Sequence, residues 1–117
     1  MQRKGNGEMI RHISMFQMEQ KPQNGKTVTE NVAALVAFLE ALPQQEPTIV
    51  GSKAASFVGQ QPELPEEAPV MFFQVVQMID FAKPEDAAAY PASQAHKALM
   101  EFTQGMVKKV SAIDFEI

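Results

Sequence analysis

Cysteine and tryptophan are missing from this chain of 117 residues, tyrosine occurs once and histidine twice. Without cysteine there is no disulfide scaffold, no thiolate metal site and no thiol nucleophile. Positive charge is scarce too, with 10 Lys and Arg against 14 Asp and Glu. The resulting net charge of −4 gives no electrostatic reason to bind nucleic acid or an anionic membrane. Apolar runs fall far short of the roughly 18 residues that a membrane span needs, and the N-terminus lacks a secretory apolar core. A cytoplasmic location is therefore the expectation. The two histidines stand in no HExxH or EF-hand spacing, so neither a dedicated metal site nor a cofactor is expected.

What is present describes an ordinary globular domain. The composition is 45% hydrophobic and 21% charged, and a domain of this length buries roughly 65% of its unfolded surface around one core. MQRKGNGE, residues 1–8, has no apolar residue after Met1 and is expected to be a mobile tail, leaving residues 9–117 as the domain. MIRHISMFQM then alternates as a strand does, with Ile10, His12, Ser14, Phe16 and Met18 on one face and Met9, Arg11, Ile13 and Met15 on the other. A loop through Pro22 and Asn24-Gly25 follows. Thr27-Val28-Thr29-Glu30 has capping-box spacing and predicts a helix start. Val28, Val32, Leu35, Leu39 and Leu42 give that helix an apolar stripe, and Pro43 stops it.

Residues 48–59 read as a second strand with Gly51 at a bulge, and QQPELPEEAP as a loop. VMFFQVVQMIDF, residues 70–81, is the most apolar segment and predicts a central strand. Pro84-Glu85-Asp86 suits a helix start. Pro91 breaks this helix, and Ser93 caps a second segment expected to run to Gly105 with Ala95, Leu99, Phe102 and Met106 in one stripe. A last strand carries Ile113, Phe115 and Ile117 on one face. The order is β-α-β-β-α-β with the second helix broken, which predicts an α+β, ferredoxin-like fold: four antiparallel strands with the helices on one side.

That arrangement leaves one sheet face bare. The strands are apolar on both faces, with Met71, Phe73, Val75 and Ile79 opposite Val70, Phe72, Val76 and Met78. Leaving about six such side chains wet forgoes on the order of 10 kcal/mol, comparable to a domain's net stability. A second copy packing sheet to sheet is the simplest cover, so a homodimer is expected.

MIRHISMF at the first strand, the apolar third strand ending in Phe before an acidic helix start, and AYPASQAHKALMEF with its closing DFEI together resemble the stress-responsive dimeric α/β-barrel proteins, the Dabb family. The resemblance runs from Met9 to Ile117. It implies two ferredoxin-like subunits closing their sheets into one barrel, with helices outside. It also implies site residues. The family's His-Pro-x-His motif is replaced here by Ser93-Gln94-Ala95-His96 after Tyr90, keeping only the second histidine. In cyclase-type relatives such a tyrosine and histidine act as acid and base, which implies Tyr90 and His96 as candidate catalytic residues. The first-strand histidine, His12, lines the same cavity in those relatives. Ser14 and Phe16 on its strand face, and Leu99 one turn after His96, are then the candidate ligand-binding residues.

From the residues alone, two readings of this constellation stand side by side. His96 sits in the first turn of a helix, where the dipole disfavours a positive imidazolium, and could take a proton from an activated carbon while the Tyr90 hydroxyl steadies the enolate. Alternatively, Tyr90 is a core aromatic, His96 a solvated histidine and His12 a hydrogen-bonded buried one. The methionines fit either an adaptable apolar pocket or core filling. RNA binding is excluded, because VMFFQVVQMI carries no Lys or Arg. Two functions follow: a non-catalytic dimer that binds a small apolar molecule, linked to stress by the resemblance, or a cofactor-free cyclase- or monooxygenase-type enzyme.

Overall fold

The computed structural model describes residues 8–57, 67 and 72–117. Its elements are β1 (Ile10–Met18), α1 (Val28–Ala41), β2 (Ile49–Ser56), β3 (Val75–Phe81), α2 (Pro84–Ala89), α3 (Gln94–Phe102) and β4 (Val107–Glu116). The four strands form one antiparallel sheet in the order β2-β3-β1-β4, the ferredoxin-like topology read from the sequence. Residues 1–7 of the expected tail and most of the loop from residue 60 to 69 lie outside the described residues, as do Val70 and Met71.

Alternation decides what each face does. β1 runs against β3 from Ile10↔Phe81 to Phe16↔Val75, so the even residues of β1 share a face with the odd residues of β3. On that face Phe16, Met18, Val75, Ile79 and Phe81 are buried beneath Leu35, Leu39, Ala95 and Leu99 of the helices. Phe38 of α1 touches both halves of this core and stacks on Phe102 of α3 at 4.3 Å between ring centroids.

α1 begins where the capping box places it. The Glu30 N–H donates to the Thr27 hydroxyl at 3.0 Å, and the Thr27 N–H donates to the Glu30 carboxylate at 2.9 Å, a reciprocal pair of the kind whose loss typically costs about 1 kcal/mol. Its buried stripe is centred on Leu35 and Leu39 and also takes in Asn31, which is hydrogen-bonded to Asn24 of the preceding loop at 2.8 Å. Leu42 and Pro43 fall in a single 3-10 turn that closes the helix. Gly51 marks a register shift in β2, and a Cβ there would come within 3.2 Å of the Asp80 carboxylate.

Three expectations are corrected. β3 starts at Val75 rather than at residue 70, because the chain bends at Gln74. The Gln74 side-chain oxygen accepts from the Met18 N–H at 2.6 Å, and the Gln74 N–H donates to the Phe16 carbonyl. Phe73 therefore leaves the alternation and lines a shallow groove with Met15, Phe57 and Val76. β2 ends at Ser56. α3 ends at Phe102, short of Gly105, because the Thr103 hydroxyl donates back to the Met100 carbonyl and offers the backbone a partner outside the helical ladder. Gly105 takes a positive φ of 83° in the turn into β4.

The sheet face away from the helices is apolar, as the alternation requires. Ile13 and Met15 of β1, Val76 and Met78 of β3, and Ile113 and Phe115 of β4 lie on it, and Ile113 and Phe115 are 60% and 40% exposed. Arg11 and Asp80, cross-strand partners on the same face, form a two-pronged ion pair at 2.8 and 3.0 Å. Among the described residues no helix is long and apolar enough to cross a membrane.

Candidate functional site

A cleft of about 70 Å³ opens between α3 and the β4 side of the sheet. Its position follows from the broken helix. Pro91 cannot continue α2, so Tyr90 begins a 3-10 turn and Ser93 restarts the helix as its cap, accepting the His96 N–H at 3.1 Å. The break turns the Tyr90 ring inward, to 3% exposure, against Phe81 and the helix-facing side of the sheet. His96, on the first turn of α3, meets that ring edge-on at 5.1 Å between centroids. From the strand side His12 does the same at 5.7 Å.

The β1–β4 ladder sets the rest. Asp114 is the cross-strand partner of His12, and its carboxylate lies 2.5 Å from His12 Nδ1. His12 Nε2 is 2.7 Å from the Ser14 hydroxyl, two residues along the same strand face. Phe16, Leu99, Met100 and Val110 form apolar walls. Tyr90 Oη and both polar atoms of the Gln77 amide are sealed from solvent and make no hydrogen bond of full geometry among the described residues, although the two side chains approach closely enough for the amide to act on the phenol.

The electrostatics follow from this burial. Desolvation pushes the Tyr90 phenol up to about 12; a hydrogen-bonding contact with the Gln77 amide works the other way, and the Glu46 charge adds to the rise. His96 is held below the ordinary histidine value, first by burial and then by neighbouring His12, with the Pro91 carbonyl opposing. Both causes favour the neutral imidazole, in the same direction as the position of His96 in the first turn of α3. Among the described residues no cluster of three or more His, Asp or Glu side chains is placed to hold a metal ion.

The structure gathers all six sequence-derived candidates, Tyr90, His96, His12, Ser14, Phe16 and Leu99, around this one cleft. Tyr90 is at once a core aromatic and a cleft residue, and His96 is half-buried rather than fully solvated. Sequence reasoning missed Gln77 and Asp114. The signal for the first is a lone amide on the helix-facing side of an apolar strand. For the second it is an acid whose position opposite His12 emerges only from the strand register.

Comparison with known proteins places this geometry in a family. The profile of the stress responsive A/B barrel domain, Dabb, matches residues 10–117. The chain belongs to the Dabb family. Solved structures with the same fold include a dimeric, ferredoxin-like protein of unknown function from Bacteroides fragilis, with a TM-score of 0.69 and 15% identity over 93% of this chain and 96% of that one. A second dimeric ferredoxin-like protein of unknown function, from Thermobifida fusca, gives a TM-score of 0.68 and 20% identity over 95% and 92%. A hydroxynitrile lyase from Passiflora edulis gives 0.69 and 15% over 95% and 94%. At these identities the likeness of the Dabb chain to each is one of fold. No curated protein matches the chain.

Proposed function

We propose that this Dabb protein is a homodimer in which each subunit takes one small, mainly apolar molecule bearing a polar group into the cleft beneath α3. The observation that carries the ligand reading is the pair of buried polar groups, Tyr90 Oη and the Gln77 amide, that make no full hydrogen bond among the described residues, in a cleft whose walls mix Phe16, Leu99, Met100 and Val110 with His12, Ser14 and His96. Leaving such groups unpaired costs about 1–3 kcal/mol each, and a ligand that supplies the partner recovers it. The dimer reading rests on the apolar face on which Met15, Val76, Ile113 and Phe115 are exposed and Ile13 and Met78 half-buried, and draws support from the dimeric proteins of the same fold. Sheet-to-sheet packing covers that face and leaves the cleft, on the other side of the sheet, open to a ligand.

A second reading, cofactor-free proton transfer, is favoured by a half-buried His96, held below the ordinary histidine value, standing edge-on to the Tyr90 ring. His96 would accept a proton from an acidified C–H or O–H, and Tyr90 would hydrogen-bond the oxygen on which charge develops. A hydroxynitrile lyase shares the fold; cyclase- and monooxygenase-type reactions need the same two roles.

Imidazole NMR spectra of the two histidines, recorded while small aromatic and short-chain carbonyl compounds are added, test the ligand reading. Binding in the cleft shifts His12 and His96 together. Histidine resonances that no compound moves, in a protein whose fold is intact, contradict it.

A further inference from the structure

The geometry points to Ser14 as a nucleophile, activated by His12 and Asp114, in a site that hydrolyses small esters or related activated acyl compounds. Asp114, His12 and Ser14 stand in line: carboxylate to Nδ1 at 2.5 Å, Nε2 to hydroxyl at 2.7 Å. An ionised carboxylate only accepts, so in the neutral ring it fixes the proton on Nδ1 and leaves the Nε2 lone pair facing the Ser14 hydroxyl. Nucleophile, base and orienting acid within hydrogen-bond reach are the three parts that acyl transfer by a hydroxyl requires, whatever the fold. The inference rests on the cleft being a ligand site, as proposed above, and adds a covalent step to it.

Three further features suit that chemistry. Ser14 is 4% exposed and lines the cleft, so its hydroxyl is shielded from bulk water yet next to the space a substrate would fill. Tyr90 Oη and Gln77 Nε2 border the cleft and make no full hydrogen bond among the described residues, so an oxyanion on the attacked carbon would find donors there. Phe16, Leu99 and Val110 are apolar and the space is about 70 Å³, which suits an acyl group of only a few carbons. A serine that merely satisfies a buried histidine needs none of these.

The step balances without any co-reactant but water. Ser14 Oγ bonds to the carbonyl carbon as its proton passes to His12 Nε2. The tetrahedral oxyanion collapses, the bond to the leaving oxygen breaks, and that oxygen takes the proton from His12, leaving an acyl ester on Ser14. Water then attacks the ester, giving its proton to His12, and the acid departs as Ser14 regains its hydrogen. Ester and water become acid and alcohol. Asp114 acts here as a positioning residue.

The test uses the full chain with diisopropyl fluorophosphate and with p-nitrophenyl acetate. One phosphoryl adduct per chain, mapped by peptide mass to Ser14, and a burst of p-nitrophenol are expected. Asp114→Asn should slow the adduct at least about tenfold with the melting temperature unchanged, and Asp114→Glu should restore part of the rate. An adduct elsewhere, or one formed equally fast in Asp114→Asn, overturns the proposal. If Ser14 stays unlabelled while small carbonyl compounds still shift His12 and His96, the nucleophile is refuted and the binding site stands. If neither occurs, both readings are refuted.

Discussion

Replacing Tyr90 with phenylalanine keeps the ring that packs on Phe81 and meets His12 and His96 edge-on, and removes one hydroxyl that is sealed from solvent and, beyond its contact with the Gln77 amide, makes no full hydrogen bond among the described residues. A buried donor left unsatisfied costs about 1–3 kcal/mol, so deleting it should stabilise the ligand-free protein by about that amount. For a domain between the size classes usually tabulated, this corresponds to a rise of about 3–5 °C in melting temperature per kcal/mol. The same variant should lose affinity for any ligand whose polar group pairs with Tyr90, a trade of function for stability of a familiar kind. Thermal or urea unfolding at one fixed protein concentration measures the first effect, since dimerisation would otherwise add its own dependence. A Tyr90→Phe protein less stable than the parent by 1 kcal/mol or more would show that the hydroxyl is satisfied in the ligand-free protein and offers nothing unpaired to a ligand.

The remaining predictions are more direct. Tyr90 is the sole tyrosine and tryptophan is absent, so phenolate absorbance follows this one group, and its midpoint in the folded protein should lie near 12 rather than 10. Because the folded state holds that proton more tightly, stability should be unaffected below pH 10 and fall as pH rises from about 10 to 12, a fall that Tyr90→Phe abolishes. His96 has the opposite sign: its folded value lies below the ordinary 6.5, so its contribution is present above that value and is lost as pH falls through the folded one. NMR titration should show His96 changing at lower pH than a free histidine, and His96→Gln should lessen acid sensitivity. Ile113→Lys, at a side chain 60% exposed, should leave subunit folding within about 0.5 kcal/mol while weakening self-association by about tenfold or more, which sedimentation velocity would read. Unchanged association would remove that face from the interface.

Local rules made much of the fold legible. The alternation of β1 was readable because its two faces differ, and the start of α1 because Thr27 and Glu30 satisfy each other's backbone within four residues. Pro91 and Ser93 similarly announced the broken helix that turns Tyr90 inward. What escaped was set by partners distant in sequence. The start of β3 depends on Gln74 accepting from Met18, 56 residues away, and the role of Asp114 depends on a register that brings it to His12 across 102 residues. Gln77 was hidden because a single amide in an apolar strand looks like an interruption until both neighbouring strands and Tyr90 are in place. For His96 the helix position was legible because it is local, whereas its burial and the approach of His12, which also lower its pKa, are not.

Native mass spectrometry of the purified protein, alone and with a small carbonyl compound, bears most directly on the account. A species of twice 12.9 kDa that takes up to one molecule per subunit is the predicted result. A bare 12.9 kDa species that binds nothing, with Ile113 and Phe115 left in water, would contradict both the covered sheet face and the cleft as a ligand site.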